Sequence, residues 1–320
     1  MFLILKKNWF LITLLLALMG GYAGSRRFSF LADASWLNWS IVAITMFLMA
    51  WPLEFGNLQR TMSRPLVPIL GCLLNIVAIP MLVWPLVGWV GGDFGGGMMV
   101  AAATPCTLAS AAVWTRRAGG DDSVALMVTI LTNATCFIVM PSWIYVQTGK
   151  TLEPSLLIGT TYRLFMFVVL PIAISQMVRL NGSAAKWATQ QKRLLSTLAL
   201  IGILTMVFIG AVNMGMRMEP QEQAIQPFSI GIVGLLMGLV HVVVLGSGMG
   251  IAKIIGAPRE QWIAVGFSGS QKTLMIGLTV SVSLGVSIIP IVLYHAIQLI
   301  IDTLIADRLG AHRPKPTGPC

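Results

Sequence analysis

Lys272 is the side chain in this sequence with the clearest capacity for chemistry. It lies in the stretch SGSQKT at positions 268–273, about twelve residues from either end of an apolar segment. An ammonium at that depth in a hydrocarbon layer costs several kcal/mol unless it is paired or hydrated. Two interpretations are open. It is a fixed charge or proton-exchanging amine in a binding site, or a structural ammonium that caps the carbonyls of an interrupted helix.

Hydroxyl and amide side chains near Lys272 are oxygen ligands suited to Na⁺, and others in the first half of the chain are expected to point towards the protein interior. The alternative for a single Ser or Thr is a bond to its own helix, and for an amide it is a bond between helices. The candidate ion ligands near Lys272 are Ser268 and Gln271, and the polar residues of the first half expected to point inward include Asn75, Ser110, Thr129, Thr132 and Asn133. The candidate substrate-binding or coupling residues are Thr107, Ser270, Lys272, Thr273, Arg163 and His295.

Other polar residues inside apolar segments give weaker signals. Arg163 either meets an anionic substrate or extends outward to the membrane surface. His295, Gln298 and Asp302 form an i, i+3, i+7 stripe, and Asp302 is near the segment end, where it is expected to meet a basic loop. His241 is expected to be a buried hydrogen-bonding group.

The sequence contains no motif typical of an enzyme or of a resident metal site. There is no HExxH, GxSxG or phosphate loop, and the three histidines are far apart. The four cysteines, Cys72, Cys106, Cys136 and Cys320, have no CxxC spacing. We therefore predict no enzyme, no resident metal or cofactor and no disulfide framework.

Composition identifies the class of protein that must position these residues. Of 320 residues, 56% are hydrophobic and 10% are charged, and the mean hydropathy is +0.84. Soluble domains carry roughly 25% charged residues. The chain is predicted to be an all-α polytopic membrane protein, which excludes a soluble enzyme or a nucleic-acid binder.

Ten apolar segments of membrane-spanning length recur along the chain. They lie at about 9–24, 37–55, 65–90, 95–115, 123–147, 154–178, 193–214, 226–252, 261–284 and 286–306. Five fall in residues 1–150 and five in residues 151–310, and residues 311–320 form a predicted cytoplasmic tail. With an inside N-terminus, fifteen Lys and Arg lie at cytoplasmic ends and four in outer loops. Both termini are predicted to be cytoplasmic, and the short loops favour a bacterial inner membrane.

An odd number of crossings per half predicts an inverted repeat, the arrangement common in secondary transporters. The fourth segment of each half is interrupted, by residues 104–107 (TPCT) in the first and by residues 268–273 in the second. Irregular backbone at membrane depth is tolerated only where it faces protein or a wet cavity. The binding site is therefore predicted between the two interruptions.

These stretches resemble the bile acid:sodium symporter superfamily, and within it the SBF-like branch. The resemblance covers essentially the whole chain. It is most specific in residues 104–110 (TPCTLAS), continuing through TRRAGG at 115–120, and in residues 269–274 (GSQKTL) with Pro290, Tyr294-His295 and Gln298-Leu299 downstream.

The resemblance implies a panel domain and a core domain, with the fourth and ninth helices unwound where they cross. It also implies Na⁺-driven import of organic anions such as bile salts. By position, Ser110 matches a sodium-binding Ser, Asn75 stands in place of a sodium-site Gln, and Gln271 matches a ligand Gln. Thr129, Thr132 and Asn133 match ligands of the following helix.

Departures from the sodium-coupled pattern concern charge. Such members carry a Glu before the ninth-helix Gly and an Asn after its Gln, where this chain has Phe267-Ser268 and Lys272. Ala111 replaces the Asn that follows Ser110. Our hypothesis is that the Lys272 ammonium stands where a sodium ion would, which leaves one Na⁺ or none and opens coupling to H⁺.

The predicted substrate is a small or amphipathic organic anion carried by alternating access. One alternative is an arsenite-type exporter that uses the Cys106 thiolate, because Val113-Trp114 resembles a pair in such exporters. Another alternative is a non-transporting membrane regulator of ion homeostasis. The sequence does not specify an oligomeric state.

Overall fold

A computed structural model describes residues 9–54, 65–108, 110–148, 154–218 and 227–311. Within these ranges every regular element is helical. The helices are α1 (Trp9–Ala23), α2 (Ser29–Asp33), α3 (Ser35–Ala50), α4 (Leu66–Val90), α5 (Gly92–Ala103), α6 (Ser110–Arg117), α7 (Asp122–Thr148), α8 (residues 154–179), α9 (Gly182–Gln190), α10 (Lys192–Met218), α11 (Pro227–Ile254), α12 (Arg259–Ser270), α13 (Leu274–Leu284) and α14 (Ile289–Ala311). The predicted tail lies outside the described residues except for Ala311.

Six of these helices are long and apolar enough to cross a membrane: α4, α7, α8, α10, α11 and α14. Two shorter apolar helices, α1 and α3, accompany them. A helix satisfies its own backbone hydrogen bonds, which a hydrocarbon layer requires. The prediction of an all-helical membrane protein is confirmed.

Two of the long helices contain a wider π-helical turn just before a proline. In α4 the turn is Leu74–Ala78 and Pro80 follows, and in α8 it is Phe165–Val169 and Pro171 follows. Proline has no backbone N–H, so a normal helical bond is missing at that point. The π turn shifts the remaining bonds, as shown by the N–H of Ile79, which bonds the carbonyl of Leu74.

The helices divide into two packing groups. Helices α1, α3, α8 and α10 pack on one another, and helices α4, α5, α6, α7, α11, α12 and α14 pack around two gaps in the helical backbone. The groups meet where α7 contacts α8 and where α13 contacts α10 and α3.

Two glycines allow the helices beside the gaps to approach closely. A Cβ at Gly97 of α5 would collide with the carbonyl of Ser287 and lie 3.1 Å from the Pro290 ring. A Cβ at Gly277 of α13 would lie 2.6 Å from Ile291. Helix α14 thus packs against both interrupted segments because neither glycine has a side chain.

Candidate functional site

The first gap separates α5 from α6. Thr104 ends α5 in an extended conformation (φ −62°, ψ 149°), because the ring of Pro105 disfavours a helical residue before it. The next helix begins at Ser110. The predicted interruption in the fourth segment is present in the structure.

The second gap separates α12 from α13. Gln271 (ψ 143°) and Thr273 (ψ 126°) are extended, and Lys272 lies between them. This gap is shorter than the predicted one, because Ser268, Gly269 and Ser270 still belong to α12. The backbone N–H of Thr273 donates to the carbonyl of Pro105 over 3.0 Å, so the two gaps touch.

Lys272 is fully buried, and its ammonium is held by neutral oxygens from two helices. Nζ donates to the carbonyl of Asn75 (2.6 Å), to the carbonyl of Thr104 (2.7 Å) and, more weakly, to Oδ1 of Asn75 (3.3 Å). Such a set of converging oxygens is what a small hard cation binds. The ammonium therefore occupies a position with the chemistry of a cation site, and it caps helix carbonyls at the same time.

The acceptor at Asn75 exists because Pro80 cannot donate. A residue other than proline at position 80 would offer its N–H to the carbonyl of Ile76 or, in a π turn, to that of Asn75. Both of these carbonyls have side-chain donors: Lys272 bonds that of Asn75, and the indole of Trp143 bonds that of Ile76 over 2.7 Å.

The Asn75 amide also binds the end of α12. Its Nδ2 donates to the carbonyl of Gln271 over 2.8 Å and lies 3.4 Å from those of Ser268 and Gly269. The hydroxyls of Ser268 and Ser270 bond carbonyls of their own helix instead. These two serines thus present backbone oxygens, rather than hydroxyls, to the gap.

Gln271 connects the two gaps through its side chain. Its Oε1 accepts from the hydroxyls of Thr107 and Ser110, each at 2.9 Å. Its Nε2 donates to the Asp302 carboxylate over 2.6 Å. The predicted residues Thr107, Ser110 and Gln271 are therefore brought together, along with a carboxylate that was not on the predicted list.

Helix α7 contacts the backbone of the first gap through three predicted residues of one helix face, Thr129, Thr132 and Asn133. Asn133 donates from Nδ2 to the carbonyl of Cys106 (2.8 Å), and Thr132 accepts from the N–H of Cys106 (3.2 Å). The Thr129 hydroxyl is nearest to the carbonyl of Ala125 in its own helix (2.9 Å) and lies 3.2 Å from the carbonyl of Thr107. The Oδ1 of Asn133 is buried and has no hydrogen-bond partner among the described residues. This oxygen is an unused acceptor to which a water or a cation can bind.

Helix α14 holds the second gap in a similar way. The Gln298 amide accepts from the N–H of Lys272 (2.9 Å) and donates to its carbonyl (3.1 Å). Gln298 also contacts Nδ1 of His295 at 2.9 Å, and the Tyr294 hydroxyl donates to the carbonyl of Ser270 over 2.7 Å. His295 therefore lies beside Lys272 and contacts its backbone.

Asp302 is where the structure departs most from the sequence-based expectation. It is fully buried and pairs with Nε2 of His241 over 2.9 Å, rather than meeting a basic loop. The stripe formed with His295 and Gln298 was the signal in the sequence that this helix face points inward. The expectation that His241 is a buried hydrogen-bonding group is met.

Of two further candidate residues, Arg163 lies apart from this cluster and the Cys106 side chain packs beside the first gap. Arg163 has an exposed side chain on α8, so the structure does not bring it to the gaps. Cys106 is buried in a small cluster with Cys72, Ala111 and Val128, and its sulfur accepts from the hydroxyl of Thr129 at 3.5 Å.

A cavity of about 430 Å³ lies beside the first gap, between the two packing groups. That volume is within the usual range for small-molecule sites. Its lining is apolar on one side (Met49, Leu53, Val113, Leu126, Leu200, Ile203) and carries Glu54, Arg116, Asp122 and Lys192 at its polar end. Ala112 and Val113 line it one turn after Ser110, which is only partly buried. Thr107, Ser110 and Gln271 are not themselves among the residues that line the cavity, whose nearest lining residues along α6 are Ala112 and Val113.

Comparison with known proteins gives three findings. A model described as the SBF-like CPA transporter family matches residues 8–311. The chain is 24% identical over 248 residues to a protein of Arabidopsis thaliana, the probable chloroplastic sodium/metabolite cotransporter BASS4, and this match covers 69% of the chain but only 53% of the plant protein. It is 24% identical over 256 residues to an uncharacterized protein of Pseudomonas aeruginosa, covering 77% of the chain and 72% of that protein. These matches confirm the resemblance seen in the sequence.

Proposed function

The chain belongs to the SBF-like CPA transporter family, and from that premise we propose that it is a secondary active transporter for a small or amphipathic organic anion. Family membership makes it an integral membrane transporter and not an enzyme. The substrate class, the coupling and the direction are our proposals, supported by the site described above.

We propose ten crossings in an inverted five-plus-five repeat. The six long helices, the two shorter ones and the two interrupted pairs α5–α6 and α12–α13 supply them. The contacts at the gaps are also similar in the two halves. Asn133 bonds a gap carbonyl 27 residues earlier, and Gln298 bonds one 26 residues earlier. Residues 1–150 and 151–310 are the proposed repeats.

We propose alternating access through movement of one packing group against the other. The group α1, α3, α8 and α10 corresponds to the panel, and the helices around the gaps correspond to the core. The cavity at their junction supports this assignment, because a site between two moving bodies is exposed on one side at a time. Both termini are proposed to lie on the cytoplasmic side of a bacterial inner membrane.

The single observation that carries the proposed coupling is the position of the Lys272 ammonium among Asn75 and Thr104 oxygens. A second cation about 4 Å from this charge would be repelled by about 4 kcal/mol at an effective dielectric constant of 20. We propose that Lys272 replaces one coupling sodium ion. Any remaining Na⁺ would use the Thr107, Ser110 and Gln271 oxygens or the unused Asn133 oxygen.

The cavity supports an anionic substrate with an apolar part. At its polar end Arg116 and Lys192 lie with the carboxylates of Asp122 and Glu54, which pair with Arg116 and Arg179, and Leu126, Leu200 and Ile203 provide apolar surface. Because Arg116 is paired with Asp122, Lys192 is the more available of the two. Lys272 contributes long-range positive charge, since its ammonium faces carbonyls and not the cavity.

The test is uptake into proteoliposomes, with radiolabelled taurocholate as an amphipathic probe and pyruvate as a small one. We expect uptake of at least one anion and its loss in Lys272→Met. Equal uptake in Na⁺ and in choline gradients would mean that no coupling sodium remains, and higher uptake in Na⁺ would mean that one does. The exposed Lys253, at the end of α11, provides the matched control as Lys253→Met. Absence of anion uptake, together with ion-homeostasis effects that persist in Lys272→Met cells, would instead favour the non-transporting regulator.

A further inference from the structure

His241 and Asp302 form a buried pair that the proposed carrier mechanism has not used. His241 lies on α11 and Asp302 on α14, and the side chains are 1% and 0% exposed. Their contact joins Nε2 of the ring to Oδ1 of the carboxylate over 2.9 Å. A buried carboxylate and imidazole in mutual contact, inside a membrane transporter, form a candidate site for a transported or coupling proton.

The atoms around this pair determine how many protons it holds. Oδ2 of Asp302 accepts from Nε2 of Gln271, and Oδ1 faces Nε2 of the ring, so an ionised carboxylate meets a donor at each oxygen when Nε2 carries a proton. The other ring nitrogen, Nδ1 of His241, faces the carbonyl oxygen of Ser270 at 3.3 Å. Both ring nitrogens thus face oxygens that only accept.

A neutral imidazole has one N–H and one lone pair. Placed here, it would direct that lone pair at either the Ser270 carbonyl or the Asp302 carboxylate. An imidazolium has two N–H groups and satisfies both contacts. The charge of the ring is then balanced by the carboxylate it contacts, and this attraction offsets the free-energy cost of burying both charges.

We propose that His241 is a proton-binding residue of this transporter, an imidazolium paired with the Asp302 carboxylate that takes up and releases H⁺ as the coupling ion. The coupling role rests on the proposed carrier function. Release of the proton leaves a lone pair against Ser270, at the end of α12. It also leaves an uncompensated charge on Asp302, which bonds Gln271 and, through it, the Ser110 hydroxyl at the start of α6.

The surroundings of the ring contain few other ionisable groups. Tyr294 on α14 contacts the ring edge to face, with ring centroids 5.6 Å apart. The helices packed against α11 are α12, α14, α4 and α5. Their ionisable residues nearest the gaps are Lys272, Cys106, Cys72 and His295, and those at helix ends are Arg259, Glu260, Asp93, Asp307 and Arg308. Glu260 precedes Ser270 by ten residues, about 15 Å of helix, so Asp302 is the carboxylate that faces the ring.

Nitrogen NMR of the full-length, ¹⁵N-histidine-labelled protein in nanodiscs tests this assignment without a substrate. The chain has three histidines, so the His241 signals are those that disappear in His241→Gln. We expect both ring nitrogens to be protonated at pH 7, and one proton to be lost as the pH is raised. In Asp302→Asn we expect a neutral ring at pH 7, with His312→Gln as the control that leaves the His241 signals unchanged.

A bare ring nitrogen on His241 at pH 7 in the wild-type protein would overturn the proposal. This outcome is separable from failure of the proposed carrier function, because the NMR readout does not depend on uptake. A neutral ring together with measured anion uptake would refute the proposed proton site and support the proposed carrier function. If His241 is an imidazolium that titrates but the protein transports no anion, both the coupling role and the carrier function are refuted.

Discussion

The Lys272 ammonium donates over 2.6 Å to the carbonyl of Asn75, an oxygen that Pro80 has left without a helical donor. The two residues are 197 positions apart in the chain. A charge on one interrupted helix therefore depends on a backbone irregularity in another. This relationship explains how an ammonium is stabilised at membrane depth without a carboxylate in contact with it.

Replacing Lys272 by Asn removes the tethered charge and adds an amide oxygen. We expect Lys272→Asn to gain sodium-dependent stability that the wild-type protein lacks at this position. A ligand at a hundredfold excess over Kd stabilises the native state by about 2.7 kcal/mol. Thermal unfolding in NaCl against equal choline chloride measures the effect. An equal sodium response in both proteins would show that Lys272 does not replace a sodium ion.

Replacing Pro80 by Ala restores an N–H that competes for the carbonyls of Asn75 and Ile76. We expect Pro80→Ala to weaken the Lys272 contact and to lower anion uptake while the protein stays folded, because the helix itself gains a bond. Pro171→Ala, at the corresponding place in α8, is the matched control, since no Lys272 contact is formed there. Equal uptake by Pro80→Ala and the wild type would contradict the role assigned to the freed carbonyl.

Replacing Gln298 by Leu leaves the N–H and the carbonyl of Lys272 without their partners. An unsatisfied buried polar group costs about 1–3 kcal/mol. We expect Gln298→Leu to lower the free energy of unfolding by an amount in or above this range, whereas the exposed Gln190→Leu leaves it nearly unchanged. Denaturation monitored in detergent compares the two, and indistinguishable midpoints would argue against a stabilising role for the bonds between Gln298 and the Lys272 backbone.

Gly97 is predicted to tolerate no side chain. A Cβ at this position meets the backbone of Ser287, so Gly97→Ala must push α5 away from α14. Gly88→Ala is the matched control, because a Cβ there has no neighbour within 4 Å and Ala is the better helix former by up to about 1 kcal/mol. We expect lower thermal stability for the first variant and equal or higher stability for the second. The reverse order would contradict the close packing of these helices.

The arsenite alternative gives a prediction about Cys106. Its sulfur is buried among Cys72, Ala111 and Val128 and does not line the cavity. We therefore expect cells that express Cys106→Ala to tolerate arsenite as well as cells that express the wild type. Tolerance conferred by the wild-type protein and abolished by Cys106→Ala would favour the exporter over the organic-anion carrier.

The sequence by itself determined the class of this protein. Long apolar segments and few charges require membrane helices, because only backbone that bonds internally is stable in lipid. Pro105 marked the first gap because proline lacks a backbone donor, and the polar run around Lys272 marked the second, although Ser268, Gly269 and Ser270 remain helical. The polar residues of one helix face, Thr129, Thr132 and Asn133, could likewise be assigned to the interior from their spacing alone.

Only the tertiary structure decided which partners these groups find. The pairing of Lys272 with Asn75 and that of His241 with Asp302 join residues 197 and 61 positions apart, and no local pattern encodes such contacts. Asp302 was assigned to a basic loop because it is near a helix end in the sequence. Packing of α14 against α11 instead removes it from water, and a buried carboxylate must then find donors, which His241 and Gln271 supply.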